Sequence, residues 1–140
     1  MNLLKAYWLA QKAHKGQKDK GGKPYINHPK YVASKFIDKD FKIVALLHDV
    51  VEDSGVKLDL IENMFGTTIA KAVDAMTKRK DEEYALYLQR VKSNPIAKEV
   101  KLIDLYHNLD FTRLGRRELT LSEKTRIKKY LDAIQFLLGI

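Results

Sequence analysis

Residues 41–51 read FKIVALLHDVV, the most apolar stretch of this 140-residue chain, and they decide the fold. Composition alone allows a buried strand here, but the Ala-Leu-Leu centre and the helical spacing of the neighbouring segments favour a buried helix. The following Asp-Ser-Gly at residues 53–55 supplies the turn that closes it. The stretch is therefore interpreted as a core helix that carries His48 and Asp49.

Apolar residues recur at helical spacing on both sides of this core helix. The pattern predicts further helices over 3–14, from Pro29 onward, over 58–65, 69–77, 84–91 and 96–109, and from Thr120 or Ser122 to residue 138. No stretch alternates with period two between hairpin turns, so strands are not expected. The prediction is one all-α domain spanning residues 1–140, with roughly six to eight helices of ordinary length.

The composition excludes several classes of protein. Hydrophobic residues make up 45% of the chain, enough for a packed core, and Lys plus Arg (26) outnumber Asp plus Glu (18), for a formal net charge of +8. The absence of cysteine excludes disulfide scaffolds, cysteine-ligated zinc and cysteine nucleophiles. No apolar run reaches the ~20 residues of a membrane span. Polar residues also interrupt the N-terminal apolar run, and the hydrophobic segment of a signal peptide would not contain them. We expect a cytoplasmic protein with no membrane partner.

Charged residues follow the core helix at informative spacings. Glu52 lies four residues after His48, and Asp53 lies four after Asp49, so each pair shares a helix face. Burying such groups is costly unless they are paired or bind a metal ion. The simpler alternative is a helix end with ordinary surface acids and one hydrogen-bonded histidine, and this segment alone leaves both interpretations open.

Two more residues, His28 and Asp104, are of the types that bind metal ions. His28 precedes Pro29 at a helix entry, where a histidine also serves as a cap. Asp104 lies among apolar neighbours with Asn108 one turn on, a pair that also suits a solvent-facing helix. The set of His28, His48, Asp49 and Asp104 has two imidazoles and two carboxylates. It suits Mn, Fe or Zn better than Mg or Ca, and such an ion assists hydrolysis of a phosphate ester.

Five ordered blocks carry a resemblance that covers about residues 3–138. They are AHKGQ (13–17), PYINHP (24–29), ALLHDVVEDS (45–54), the FG to MTK run (65–78) and KLIDLYHN (101–108). The chain resembles the HD-domain metal-dependent phosphohydrolases. Within them it is most similar to the alarmone hydrolases, that is, the hydrolase half of the RelA/SpoT proteins and their small stand-alone relatives.

The resemblance implies an all-α HD-domain helical bundle and a role for each matched residue. The metal ligands it implies are His28, His48, Asp49 and Asp104, usually for Mn²⁺, with another first-row divalent ion as the alternative. Glu52 and Asp53 match a pair that activates or positions the attacking water, and Asn108 matches a substrate-contacting residue. The implied reaction removes the 3′-pyrophosphate of guanosine 3′,5′-bispyrophosphate-type nucleotides.

The chain departs from that family at two positions that usually hold basic residues. These positions are occupied here by Asp19, between Lys18 and Lys20, and by Leu105. Lys18 and Lys20 are the candidates for phosphate contact in the glycine-rich loop. The departures leave hydrolysis of another phosphorylated nucleotide or metabolite as an alternative reaction.

The basic charge admits a third hypothesis, a non-catalytic module that binds a nucleotide or RNA. Lys and Arg cluster at residues 12–23, 78–80, 113–117 and 124–129, but no nucleic-acid motif or stacking platform accompanies them. A polyanionic nucleotide substrate explains a basic rim equally well, so nucleic acid is not the expected partner. The 124–129 cluster is interpreted as a solvated surface.

The other two histidines have different predicted roles. His14 is predicted to orient the glycine-rich loop, and His107 is predicted not to bind metal. No oligomeric state is predicted.

Overall fold

The structure, a computed structural model, describes residues 2–114 and 118–140, which form nine α-helices and one short 3₁₀ helix, Phe111–Leu114. The α-helices are α1 (Asn2–Ala13), α2 (Asn27–Ser34), α3 (Lys39–Leu47), α4 (Val50–Ser54), α5 (Leu58–Phe65), α6 (Thr67–Met76), α7 (Tyr84–Ser93), α8 (Pro95–Asn108) and α9 (Leu121–Leu138). Over the described ranges, β-pairing is limited to one isolated bridge between Lys18 and Pro24. The predicted all-α fold is confirmed.

The predicted core helix over 41–51 is in fact two helices, so the helix count is one above the predicted range. α3 ends at Leu47 and α4 begins at Val50. The ring of His48 donates from Nδ1 to the Ala45 carbonyl at 2.5 Å, the carbonyl that a regular helix would offer to the amide of Asp49. Asp49 itself has φ −104° and ψ −2°, away from helical values. A side-chain hydrogen bond thus interrupts the helix at the histidine–aspartate pair.

The central helix of the fold is α3, whose residues 43–47 are fully buried or nearly so. It packs against α1, α2, α6 and α8. The second helix begins at Asn27, two residues before the predicted Pro29, and its first turn includes the buried His28. α8 packs against both α2 and α3. These contacts bring three segments that are distant in sequence to one point of the core.

Two helix starts follow well-known capping chemistry. The Asn94 side chain accepts hydrogen bonds from the amides of Ile96 and Ala97 at the start of α8, and Pro95 takes the first helical position. Thr120 and Glu123 form a capping box at the start of α9. In the part of the chain that is described, no helix combines the length and the hydropathy needed to cross a membrane.

Candidate metal centre and adjoining cavity

Three buried side chains meet where α2, the end of α3 and α8 come together. His28, His48 and Asp104 each offer one ligand atom, and these atoms lie within 4.8 Å of one another. Nε2 of His28 is 2.7 Å from Oδ1 of Asp104, and Nε2 of His48 is 3.4 Å from the same oxygen. The structure thus brings together residues that are 76 positions apart in the chain.

Asp49 lies beside this group, with Oδ2 3.0 Å from Nε2 of His48. It contacts His48 but is not one of the three residues whose ligand atoms group together. The same oxygen accepts a hydrogen bond from the hydroxyl of Tyr25, a residue that sequence analysis missed. Burial, followed by the charge of Asp49, raises the pKa of Tyr25, so its hydroxyl remains a donor. Tyr25 therefore orients the Asp49 carboxylate.

The nitrogens of His48 are arranged as those of a metal ligand. Nδ1 donates to the Ala45 carbonyl, while the buried Nε2 makes no hydrogen bond despite its two carboxylate neighbours. Burial opposes the imidazolium form, but Asp49 and Asp104 outweigh it and raise the pKa of His48. The two carboxylates thus favour positive charge at Nε2. A divalent cation supplies that charge, so the donor set fits a metal ion.

The carboxylate of Asp104 is held from both sides. Lys101 Nζ donates to Oδ2 at 2.9 Å and Asn108 Nδ2 donates to Oδ1 at 3.3 Å. Burial opposes ionisation, but Lys101, His28 and His48 together lower the pKa of Asp104 well below its ordinary value. Asp104 is therefore an anion, with one oxygen fixed by Lys101 and the other directed at the histidines.

Glu52 and Asp53 lie in α4 and differ in what their carboxylates contact. Oε1 of Glu52 accepts the backbone amide of Lys78 at 2.9 Å, which ties α4 to the segment after α6. Asp53 lies one turn beyond Asp49, because its amide donates to the Asp49 carbonyl at 2.9 Å. Gln17 donates to the Asp53 carbonyl at 3.3 Å, and its own side-chain oxygen lies 2.8 Å from His14 Nδ1. The hydrogen bonds of His14 and Gln17 thus stabilise the position of α4.

The ionisation of Asp53 predicts a pH-dependent effect on stability. Burial, followed by the charges of Asp49 and Glu52, raises its pKa to about 6. Because the ordinary value is lower, the folded state favours the protonated carboxyl, and that stabilisation is lost as pH rises through about 6. In metal-free protein, Asp53→Asn is expected to raise the free energy of unfolding by a few tenths of a kcal/mol at pH 8, since solvent screens the charge of this partly exposed side chain. Denaturant melts at pH 8 and pH 4 measure it; an equal change at both pH values would contradict the assignment.

His107 contacts the centre, although it was predicted only as a non-ligand. Its Nδ1 lies 2.7 Å from Nδ1 of His28, and its ring stacks on Tyr31 with centroids 3.9 Å apart. Burial, followed by the positive charge of Arg113, lowers the pKa of His107 to about 4, so the ring is neutral at pH 7. The missed signal was its spacing of three residues from Asp104, which puts both on one face of α8.

A cavity of about 350 Å³ adjoins the centre at His28 and Asn108. The predicted phosphate contacts Lys18 and Lys20 both line it. Apart from Asp19, sequence analysis missed the other polar and aromatic side chains of its wall, which are Tyr25, Asp110, Phe111, Arg113, Arg126 and Tyr130. Lys20 and Arg126 line the same cavity, and burial, followed by the charge of Arg126, lowers the pKa of Lys20. Such crowding of like charge suits an anionic ligand.

The cluster over 124–129 was interpreted as a solvated surface, but Arg126 is partly buried and belongs to the cavity wall. Arg126 lies in α9 and reaches the cavity wall. Its neighbour Lys128 fits the interpretation, since it is exposed and pairs with Asp132 at 2.9 Å. In the cluster over 113–117, Arg113 lines the cavity, while Arg116 and Arg117 lie outside the described residues.

Leu105 and Asp19, the two departures from the family pattern, lie in different environments. Leu105 is fully buried in the core, so no substrate contact is made from that position. Asp19 lines the cavity, and its Oδ1 accepts the amides of Gly21 and Lys23 while Oδ2 lies 3.6 Å from Nη2 of Arg113. Asp19 therefore shapes its own loop and holds Arg113 at the cavity.

The loop and the 3₁₀ helix meet closely at Gly21. A Cβ added there would lie 2.1 Å from the carbonyl oxygen of Arg113, far inside contact distance. Only a glycine at this position permits so close an approach of backbone to backbone. This contact fixes one wall of the cavity.

Comparison with known proteins identifies the family of this chain. A family model described as the HD domain matches residues 6–103. A "GTP pyrophosphokinase" of Streptomyces coelicolor is 32% identical over 129 residues, which is 83% of this chain and 15% of that protein. A "Guanosine-3′,5′-bis(diphosphate) 3′-pyrophosphohydrolase" of Aquifex aeolicus is 36% identical over 117 residues, 77% of this chain and 17% of that protein. The chain spans about a sixth of the length of these curated relatives.

The fold is also that of a solved structure. This structure, described as "A metazoan ortholog of SpoT hydrolyzes ppGpp and plays a role in starvation responses", matches with a TM-score of 0.80 at 24% identity. The match covers 98% of this chain and 85% of the other. The helical arrangement is therefore shared over nearly the whole chain.

Proposed function

The chain belongs to the HD-domain family, and from this premise we propose that it is an Mn²⁺-dependent phosphohydrolase of alarmones. The proposed reaction releases the 3′-pyrophosphate of a guanosine 3′,5′-bispyrophosphate-type nucleotide. One observation carries the proposal: the cluster of His28, His48 and Asp104 adjoins a cavity with basic walls. The reaction named for the Aquifex aeolicus relative supports this choice of substrate.

The residues around the metal centre have different roles in the proposed reaction. His28, His48, Asp49 and Asp104 would hold the ion, for which Mn²⁺ is proposed and another first-row divalent ion is the alternative. When bound, such an ion acts as a Lewis acid at the phosphoryl group and makes water a better nucleophile at neutral pH. Asp53 accepts a proton from the attacking water, and Glu52 beside it positions that water and holds the segment at Lys78. Lys101 keeps Asp104 ionised and directed at the site.

The cavity would bind the nucleotide through its phosphates. Lys18, Lys20 and Arg126 offer positive charge, and Arg guanidinium binds phosphate oxygens in pairs of hydrogen bonds. Asn108 contributes a polar side chain between the cavity and Asp104. The aromatic rings of Phe111 and Tyr130 give the same wall apolar surface for a base.

A substrate screen tests the proposed function. Purified protein with Mn²⁺ is incubated with guanosine and adenosine alarmones, NADPH and nucleoside monophosphates, and the released phosphate or pyrophosphate is measured. The expected result is pyrophosphate release from the guanosine alarmone and loss of release with a chelator. Activity on non-alarmone substrates alone would favour the other phosphohydrolase hypothesis, to which the presence of Asp19 in the cavity wall points. Salt-sensitive RNA binding with neither metal nor hydrolysis would favour the binding-module hypothesis.

A matched pair of variants on α9 tests the phosphate cavity. Arg126→Met removes a cavity cation. We expect KM for the alarmone to rise by about 10- to 100-fold, which corresponds to the loss of the hydrogen bonds between this charged group and a phosphate. Lys128→Met makes the same change of charge on the same helix but away from the cavity, and should leave KM unaltered. Steady-state kinetics at constant ionic strength measures both. Equal changes in the two variants would mean that only overall charge matters.

A further inference from the structure

The two imidazoles of His28 and His107 point nitrogen to nitrogen. Their Nδ1 atoms are 2.7 Å apart, their ring planes differ by 3° and their centroids are 5.0 Å apart. Because the nitrogens are much closer than the centroids, the rings lie end to end and not face to face. This geometry is that of a hydrogen bond between imidazoles, in which one nitrogen carries the proton and the other accepts it.

Which ring donates determines whether His28 can bind a metal ion. His28 has two ring nitrogens, and Nε2 is the one that faces Asp104 in the cluster. A metal ligand needs its lone pair on that nitrogen, so the proton of neutral His28 must be on Nδ1. Metal-binding histidines usually donate this second N–H to a carboxylate, a backbone carbonyl or water. At His28 the atom in that position is Nδ1 of His107.

We propose that His107 is a positioning residue of the metal centre, which accepts a hydrogen bond from Nδ1 of His28 and so keeps Nε2 of His28 unprotonated and aimed at the metal ion. This inference rests on the proposed metal centre. His107 does not touch the ion itself. Its effect passes through the tautomer and the ring orientation of His28.

The contacts of His107 hold its ring in place, as the role of a hydrogen-bond acceptor requires. One face of its ring stacks on Tyr31 at 3.9 Å with an interplanar angle of 15°. Its backbone carbonyl accepts a hydrogen bond from Nη1 of Arg113 at 3.1 Å. Asp104 lies three residues earlier in the same helix, so the ligand and the positioning residue move together.

Without a metal ion the same hydrogen bond can run in the opposite direction. Nε2 of His28 is 2.7 Å from Oδ1 of Asp104, a distance that suits donation from a protonated Nε2. Nδ1 of His28 would then accept from a protonated Nδ1 of His107. In the metal-bound state that proton would leave Nε2 of His28, the Nδ1 proton of His107 would pass to Nδ1 of His28, and His107 would take up a proton at its own Nε2. Both rings would then stay neutral, and neither would have to move.

Two variants of His107 separate an acceptor from a merely structural residue. His107→Phe keeps an aromatic ring on Tyr31 but removes the acceptor. His107→Asn loses the ring but places an amide oxygen close to the position of Nδ1. We expect the Mn²⁺ dissociation constant, measured by calorimetric titration, to rise about 10- to 100-fold in His107→Phe and to return to within a few-fold of wild type in His107→Asn. Circular dichroism melts confirm that each variant is folded.

The outcomes distinguish this inference from the proposed metal centre. Equal Mn²⁺ affinity in the wild type and His107→Phe would overturn the role of His107 while leaving the metal centre intact. Equal weakening in both variants would show that the ring acts by packing alone and would also overturn it. Absence of Mn²⁺ binding by the wild type would overturn the proposed metal centre itself.

Discussion

Asp49→Ala is expected to abolish turnover and to weaken Mn²⁺ binding by more than about 100-fold. About 100-fold is the largest loss usual for a residue that only hydrogen-bonds to a metal ligand, and Asp49 is proposed to bind the ion itself. The carboxylate of Asp49 stands 3.0 Å from Nε2 of His48 and is held by the hydroxyl of Tyr25. Its removal takes away one of two negative charges that face the histidines. Calorimetric Mn²⁺ titration and pyrophosphate release measure the two effects.

Tyr25→Phe and Asp59→Ala are the controls for this variant. Tyr25→Phe removes only the hydrogen bond that orients Asp49, so its effect on Mn²⁺ affinity should be smaller than that of Asp49→Ala. Asp59 is an exposed aspartate in the first turn of α5, and its loss should change neither quantity. Full activity in Asp49→Ala would rule out a mechanism that depends on this ligand.

Asp53→Asn is expected to lower kcat by about 10²- to 10⁴-fold, the usual worth of general acid–base catalysis, with Mn²⁺ affinity within a few-fold of wild type. Asp53 lies one helical turn from Asp49 and has a pKa of about 6 because of burial and its acidic neighbours. A carboxylate with such a pKa is a better base than an ordinary aspartate. Steady-state kinetics at saturating Mn²⁺ measures kcat.

Glu52→Gln provides the comparison within the same acidic pair. Turnover should fall here as well, with Mn²⁺ binding spared, and the glutamine oxygen can still accept the amide of Lys78. A melting temperature close to that of the wild type would show that the loss is not one of folding. Unchanged kcat in Asp53→Asn would assign the proton transfer to another group.

Much of the candidate centre was predictable because buried charge is costly. His48 and Asp104 each stand among apolar neighbours, and each is buried in the structure among residues of opposite charge. The break between α3 and α4 was not predictable from periodicity, because it depends on the Nδ1 bond of His48 to a backbone carbonyl. Apolar spacing continues unchanged across that break.

The residues that sequence analysis missed act through contacts between distant segments. Tyr25 meets Asp49 across 24 residues, and His107 meets His28 across 79. Arg126 is one of several basic residues of α9, and only the packing of that helix distinguishes it from Lys128. The family resemblance leads us to expect a basic residue at the position of Leu105, but Leu105 is fully buried and packs in the core.

The most direct test of the proposed metal centre is the anomalous difference density of crystals grown or soaked with Mn²⁺. We predict a single strong peak among His28, His48, Asp49 and Asp104, at a bonding distance of about 2.0–2.2 Å from the ligand atoms. A peak elsewhere, or ordered side chains around a peak from which His28 or Asp104 stands well beyond that distance, would contradict the assignment.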